Sequence, residues 1–381
     1  MQRKEEIGLI REIIGLAEQK SAYLDDAVAH SPISRYHSPE RFERERALIF
    51  RRKPVIAAQS SELAGPRDFV VRQVMGLPVL LARDDDGVVR AFLNVCRHRG
   101  AKLERETSGC KRVFTCPYHG WSWTNTGDLR AVPQEAQGFP DLPRAERGLR
   151  RLPVAEAHGF IWVIANPDES GPLDIDAWLR RLSADFDWLQ LDDHRIAVEE
   201  TIDIHANWKV LVEGGIEAYH FRVAHAATIA PYFPDNLSTY RIFGQHLRSV
   251  LPRTTMTELA SKPEAEWSIR QDANVLYSLM PVTQLLVQQD HVVWINSDPI
   301  AADHTRMRIA TLVPKDADTD AMQAHWQKNH AITKATLMED FELGEEIQSG
   351  FASRGNPSHL FGRFEGALNR FNRMVEELIA G

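Results

Sequence analysis

Two short segments, Cys96-Arg97-His98 and Cys116-Pro117-Tyr118-His119, each place a thiol and an imidazole in one turn, with seventeen residues between them. Each follows a short β-rich run, Phe92–Val95 and Val113–Thr115, and a glycine, Gly100 or Gly120, lies just beyond each. Two thiolates and two imidazoles on paired hairpin tips can surround one metal centre, so this stretch demands antiparallel strands that set the tips side by side. Tetrahedral zinc accepts a Cys₂His₂ set. Zinc fingers, however, usually pair like ligands within one turn. One Cys and one His from each hairpin suits a [2Fe–2S] cluster, with both cysteines on one iron and both histidines on the other. The plain alternative is two core cysteines with unrelated surface histidines. Cys110 lies outside both turns and reads as a simple thiol.

The rest of the chain sets limits. Its 381 residues suffice for two or three domains at roughly 100–200 residues each. With 43% hydrophobic and 26% charged residues it is an ordinary globular chain. A net charge of −8 argues against a broad nucleic-acid face. Three cysteines exclude a disulfide scaffold and suit a reducing compartment. No apolar run approaches the ~20 residues of a membrane span, and the acidic start, with Glu5 and Glu6, does not read as a signal peptide. The expectation is a cytoplasmic enzyme with no membrane or nucleic-acid partner.

Periodicity predicts an N-terminal helix with a stripe of Ile7, Ile10, Ile13, Ile14 and Ala17. Ser38-Pro39 opens a second, short helix. Short β runs follow, including Leu77–Arg83 and Val88–Asn94 about an Asp85-Asp86-Gly87 turn. Beyond Asn166-Pro167 the spacing predicts strands at 195–204, 240–250, 276–280, 283–288, 292–296 and 307–313, a helix from Trp208 to about Val223, and long helices at about Asp318–Ser349 and Arg363–Ile379. Strands in a block followed by helices indicate α+β. The expected divisions are a helical segment at 1–45, a small antiparallel β domain at 46–165, and an α+β domain at 166–381.

A second group of ligand-type residues lies downstream. Glu217-Ala218-Tyr219-His220 leads to His225. On one helix Glu217 and His220 share a face, whereas His220 and His225 stand about 140° apart, so both reach one ion only if the helix ends or bends between them. Two imidazoles and a carboxylate with open positions form the facial triad of non-heme Fe(II) oxygenases. Asp340, in an acidic stretch of the long helix, is the best third ligand, and Glu217 is another. The plain alternative is a chance pair of histidines and a solvated acid.

Cys96-Arg97-His98-Arg99-Gly100 and Cys116-Pro117-Tyr118-His119-Gly120-Trp121 resemble the Rieske domain of Rieske non-heme iron oxygenases. From about Ile49 onward the chain resembles the catalytic α subunit of Rieske ring-hydroxylating oxygenases. The resemblance implies a small antiparallel β Rieske domain and a helix-grip catalytic domain, with a curved antiparallel sheet and long helices. It implies that Cys96 and Cys116 hold one iron of the cluster and His98 and His119 the other, and that His220, His225 and Asp340 hold a mononuclear Fe(II). Glu217 would link that iron to the cluster of a neighbouring subunit in a head-to-tail homotrimer, with or without a small β subunit. Many members have Asp there; Glu occurs in members resembling quaternary-ammonium monooxygenases. Asn207 would sit near the iron. O₂ is the implied co-substrate, with NAD(P)H entering only through a partner ferredoxin or flavin reductase.

The activity expected on this basis is a terminal oxygenase that hydroxylates an aromatic or related small organic substrate. The alternatives are an N- or O-demethylating or quaternary-ammonium monooxygenase, and a non-catalytic electron carrier or zinc-binding protein. Arg97, Arg99, Lys102, Arg105, Lys111 and Arg112 read either as a docking face for an acidic electron donor or as a solvated loop. Ile216, Phe221, Met280, Leu285, Val287 and Trp294 are candidate walls of the substrate pocket.

Overall fold

A computed structural model describes residues 1–317 and 319–380. The chain divides into two compact units, residues 50–178 and residues 1–49 with 179–381. Residues 1–45, expected to stand apart, belong to the larger unit. Helix Arg3–Glu18 buries Leu9, Ile10, Ile13 and Ile14, and Arg3 donates to the Trp267 carbonyl at 2.6 Å. Helix Pro39–Glu45 begins as its sequence dictates, with the Ser38 hydroxyl accepting the Arg41 N–H at 3.1 Å. The division on the other side falls after Trp178 rather than at Asn166-Pro167. Arg150 donates to the Pro167 carbonyl at 2.9 Å, and His158 bonds Asp176 at 2.8 Å, so this tail stays with the β unit.

The smaller unit is antiparallel throughout. A five-stranded sheet runs in the order Arg151–Leu152, Val89–Leu93, Leu77–Arg83, Asp68–Val74, Ser108–Cys110. Two three-stranded sheets accompany it, Val154–Ala157 with Phe160–Val163 and Val55–Gln59, and Val113–Thr115 with Ser122–Thr124 and Leu129–Ala131. The core gathers Phe69, Phe92, Phe114, Trp121 and Trp123 around the side chains of Cys96 and Cys116.

The larger unit is built on a seven-stranded antiparallel sheet, ordered His194–Ile204, His304–Pro314, Val292–Ala301, Thr283–Val287, Ala273–Leu279, His246–Pro252, Thr239–Phe243. The single strand expected at 240–250 is a hairpin instead, turning at Gly244 with φ +65°. The long helix is Asp320–Phe351, capped by Thr319, whose hydroxyl accepts the Met322 N–H. The expected starting residue Asp318 lies outside the described residues. The last helix runs Gly366–Ala380.

One face of the sheet carries the site. Ile204, Val293, Ile295, Met307 and Ile309 pack against Leu211 of helix Trp208–Ile216 and Phe341 of the long helix. The long helix clamps the entry to the shorter one: Glu345 accepts the His205 N–H at 2.7 Å and Gln348 the Asn207 N–H at 2.9 Å. Gly344 allows the close approach, since a Cβ there would lie 3.0 Å from Leu211 Cδ2.

Candidate metal centres

The two hairpin tips of the β unit share one backbone design. In the first, Cys96 N–H donates to the Ala101 carbonyl at 2.8 Å and Gly100 N–H returns to the Cys96 carbonyl at 3.0 Å. In the second, Cys116 N–H donates to Trp121 and Gly120 N–H to Cys116 at the same distances. Gly100 and Gly120 sit at φ +80° and +73°, where a Cβ is strained. Both cysteines are buried, while His119 is exposed at the tip. The imidazoles of His98 and His119 meet edge to face with ring centroids 4.7 Å apart, and His98 is stacked on Trp121 at 4.9 Å.

These residues fit a bound cluster on their own chemistry. His98 Nδ1 is buried with no hydrogen-bond partner, an orphan that a metal bond would satisfy. Burial, with His119 and Arg99 nearby, lowers the His98 pKa and favours the neutral, ligating form. Burial is also the largest influence on Cys96; it raises the thiol pKa, and the neighbouring Cys116 adds to it. A bound cation would displace that proton. Zinc, with bonds of ~2.0–2.3 Å, would draw its four donors to within about 3.8 Å of one another. Among the described residues the one set of three or more donors gathered within 4.8 Å is elsewhere, at His220, His225 and Asp340. The wider spacing at the hairpin tips suits two irons.

The second site comes from chain breaks. Helix Trp208–Ile216 ends at Glu217, whose backbone is extended (φ −126°, ψ 167°). A single turn, Phe221–Ala224, then begins after His220 and ends at His225. The continuous helix expected through Val223 is broken at Glu217, and the short turn that follows ends at Ala224, between the histidines, so Glu217 meets His220 across a turn rather than along a helical face. His220 Nε2 and His225 Nε2 are 3.1 Å apart; Asp340 Oδ1 lies 3.1 Å from His225 Nε2 and 3.4 Å from His220 Nε2. Three donors at right angles around one ion, with bonds of ~2.1 Å, would stand about 3 Å apart.

The other nitrogen of each imidazole is held by a carboxylate. Glu217 Oε1 bonds His220 Nδ1, and its Oε2 accepts the backbone N–H groups of Tyr219 and His220. Glu339 Oε2 bonds His225 Nδ1 at 2.6 Å and accepts the Thr228 hydroxyl at 2.7 Å. Such partners fix the tautomer and aim Nε2 at the metal position. Burial alone would lower the His225 pKa; the Asp340 and Glu339 carboxylates outweigh it and raise it.

Family models match both units: the Rieske [2Fe–2S] domain over residues 53–153, and the catalytic domain of the ring-hydroxylating α subunit over residues 191–381. The chain belongs to the ring-hydroxylating oxygenase α-subunit family. The glycine betaine monooxygenase oxygenase subunit of Pseudomonas aeruginosa is 32% identical over 354 residues, 84% of this chain and 81% of that protein. The carnitine monooxygenase oxygenase subunit of Acinetobacter baumannii is 33% identical over 205 residues, so the match spans about half (53%) of that relative. A quaternary ammonium Rieske monooxygenase solved with L-carnitine shares the fold, with a TM-score of 0.79 at 24% identity over 92% of this chain and 96% of that one. The cofactors of this α-subunit family are the Rieske cluster and a mononuclear iron that works with O₂, and the zinc-binding alternative falls away.

Two expectations need correction. Asn207 does not reach the triad. It caps helix Trp208–Ile216, with Oδ1 accepting the Lys209 N–H at 3.0 Å and Nδ2 donating to Ala302 at 2.7 Å, so both ends of its amide serve the backbone. Of the candidate wall residues only Phe221 lines the pocket that contains His225 and Asp340. Its sheet wall includes Leu276, Gln284, Leu286, Ile295 and Met307; Leu285, Val287 and Trp294 point to the opposite face. Around the cluster, Lys111 pairs with Glu104 at 2.7 Å and Arg112 with Asp85 at 3.4 Å, which leaves less of the basic loop for a partner.

Sequence reading missed Glu339 and the pair Gly214-Gly215. Both glycines line the pocket. A Cβ on Gly215 would lie 2.8 Å from Gln284 Nε2, and one on Gly214 would lie 3.8 Å from Asp340 Cβ. Two adjacent glycines inside a helix cost stability relative to alanine, and that was the available signal.

Proposed function

We propose that this chain is the terminal component of a multicomponent monooxygenase that removes an N-methyl group from a small organic molecule. Cys96, Cys116, His98 and His119 would hold the Rieske cluster in the smaller unit, and His220, His225 and Asp340 the mononuclear iron in the larger one. Iron held there would supply O₂ activation, with the cluster as its one-electron donor. The chain's own residues do the rest. Glu217 and Glu339 keep the two imidazoles in one tautomer and one orientation. Apolar walls of Phe221, Leu276, Leu286, Ile295 and Phe341 exclude water and press the substrate toward the triad.

The observation that carries this reading is the gathering of His220, His225 and Asp340 beside an apolar pocket of about 80 Å³ lined in part by Phe221 and Phe233; aromatic rings suit a methylated ammonium group. The relatives named as glycine betaine and carnitine monooxygenases support a quaternary-ammonium substrate, as does Glu rather than Asp at 217. In the reaction, one oxygen atom enters a C–H bond of the methyl group. The other leaves as water with two electrons and two protons. The N–CH₂OH product then parts into amine and formaldehyde.

A ferredoxin or flavin reductase passes electrons from NAD(P)H to the cluster. The head-to-tail homotrimer sets His119 of one subunit toward Glu217 of the next. The enzyme works in the cytoplasm; among the described residues no helix is long and apolar enough to cross a membrane. The second reading, ring hydroxylation, draws on the apolar character of the same walls.

Single turnover separates the readings without a partner protein. Enzyme reconstituted with iron, reduced with dithionite and exposed to O₂ with glycine betaine or carnitine should release formaldehyde. Hydroxylated product from benzoate or naphthalene, with no formaldehyde from either amine, would favour ring chemistry. Three irons per chain without product from any of them would count against both.

A further inference from the structure

The pocket at the triad is not isolated. A second chamber of about 570 Å³ shares Ile229, Phe233, Asn274, Leu286, Thr336 and Leu337 with it. Arg253 lines only this outer chamber, at the end of strand His246–Pro252. Its backbone is pinned by a 2.8 Å bond from its N–H to the Asp272 carbonyl. Its guanidinium lies over the Phe233 ring at 5.9 Å and donates from Nη2 to Asn274 Oδ1 at 3.0 Å.

This arginine has no acid of its own. Its Nε is buried without an acceptor, and among the described residues no carboxylate is ion-paired to it. Asp272 and Asp290 are the acids whose charge reaches it, but both are engaged elsewhere. Asp272 accepts the Thr255 hydroxyl at 2.8 Å. Asp290 is bound by His291 at 2.7 Å and His325 at 2.8 Å. Burial dominates and lowers the Arg253 pKa. A half-buried, unpaired guanidinium is costly to keep, and its planar fork matches a carboxylate. The Asn274 amide lies on both chambers and spends its oxygen on Arg253; among the described residues its nitrogen makes no bond to protein.

We propose that Arg253 and Asn274 form a subsite for a substrate carboxylate, so that this oxygenase takes a small molecule with a carboxylate at one end and the oxidised carbon at the other. The charged end is held in the outer chamber and the apolar or methylated end enters the inner one. The inference rests on the reading of the triad as the oxidising centre, but binding can be measured apart from turnover.

The test is calorimetric titration of the holoenzyme with glycine betaine and with benzoate, each against its primary amide. At least one carboxylate should bind ten-fold or more tighter than its amide. Arg253→Met should erase that preference and leave amide binding within about two-fold, Arg253→Lys should keep part of it, and Asn274→Ala should weaken carboxylate binding by a smaller factor. Melting curves check that the variants fold; if Arg253→Met does not, the Lys and Asn274 variants decide. No carboxylate preference in the wild type, including no binding of any probe, or full preference in Arg253→Met, overturns the subsite. Asp340→Ala keeps these readings separate: it should abolish turnover while carboxylate discrimination persists. Turnover surviving in Asp340→Ala would sink the oxidising-centre reading and leave the subsite to be judged on binding alone.

Discussion

The cluster loops and the triad set the same problem, several donors around metal, and solve it at different ranges. The four cluster residues fall within positions 96–119, and two turns with the same backbone hydrogen-bond pattern hold them. The triad draws on two histidines in one broken helix and an aspartate 115 positions beyond His225, carried by another helix. In the first case local sequence decides geometry. In the second, packing of two helices on a sheet decides it, through Gly344 against Leu211 and through Glu345 and Gln348 at the start of the shorter helix. A local site should survive damage elsewhere, whereas an assembled one should be sensitive to contacts far from the metal.

The largest effects come from deleting one ligand at a time. Asp340→Ala should abolish product formation and lower iron from three to two per chain, with the visible spectrum of the cluster unchanged. Cys116→Ala should do the reverse, bleaching the protein while the triad still binds one added ferrous ion. Iron analysis with absorbance and EPR spectra reads both. If either variant strips both centres, the two sites are not independent and the contrast fails.

Next in size are the carboxylates behind the histidines. Glu339→Gln leaves a hydrogen bond but removes the charge at His225, and changes of this kind cost roughly 10–100-fold in metal affinity. Glu217→Gln should keep both metals bound yet stop product formation, because this carboxylate would also receive the neighbouring subunit's histidine. Ferrous titration with turnover separates the pair: both variants should bind ferrous ion more weakly, but with iron saturating the Glu339 variant should turn over and the Glu217 variant should not. Normal turnover in Glu217→Gln would break the proposed link between subunits.

That contrast also explains what could be read from sequence. The cluster loops were legible because ligands, glycines and strands all lie within one short window. The two histidines were legible by spacing and Asp340 through the resemblance, but their setting was not. The spacing across Val212–Val223 reads as one helix, although Gly214-Gly215 weakens it, and nothing in the sequence shows that Glu217 turns back to accept the N–H of Tyr219 and bond His220. The pocket walls were misjudged by one residue of register. Strands alternate faces with period two, so choosing Leu285, Val287 and Trp294 selects the side opposite Leu286 and Ile295. Only the packing partner, here the helix pair with Leu211 and Phe341, says which parity faces the site. Asn207 misled because an amide before a helix is as good a cap as a ligand neighbour, and here it is a cap.

A smaller effect tests whether the assembled unit depends on remote polar contacts. Glu213, one turn before Glu217 in the chain, is buried among side chains from both ends of the sequence. Its Oε1 accepts from Tyr36 at 2.8 Å and Asn372 at 2.7 Å. Burial pushes its pKa up from 4.5 to about 7, against those hydrogen bonds and the nearby Lys209 ammonium, which pull the other way. The folded state thus keeps a proton that the unfolded chain releases above 4.5. Stability contributed by this proton is fully present below pH 4.5 and is lost as pH rises toward 7. The loss is up to about 3 kcal/mol. Denaturant titrations of the larger unit's tryptophan signal should show that decline, and Glu213→Gln should flatten it. An unchanged slope in the variant would place the titrating group elsewhere.

The smallest effect lies in the helix that brings the histidines to Asp340. Gly214 and Gly215 both cost helix stability, about 1 kcal/mol each relative to alanine, but only one has a steric reason to stay. A methyl on Gly214 would meet Asp340 at ordinary contact distance, 3.8 Å. Gly214→Ala should therefore raise stability by a few tenths of a kcal/mol up to about 1, with iron binding unchanged. A methyl on Gly215 would sit 2.8 Å from Gln284 Nε2, whose amide donates to the Val212 carbonyl at 3.1 Å and to Ser278 at 3.4 Å. Moving that amide frees a buried carbonyl of the same helix, at about 1–3 kcal/mol, which outweighs the helix gain. Gly215→Ala should thus lower the melting temperature and weaken ferrous binding while the cluster spectrum stays intact. Equal behaviour of the two variants would mean that the triad's long-range assembly has more slack than the contact distances allow.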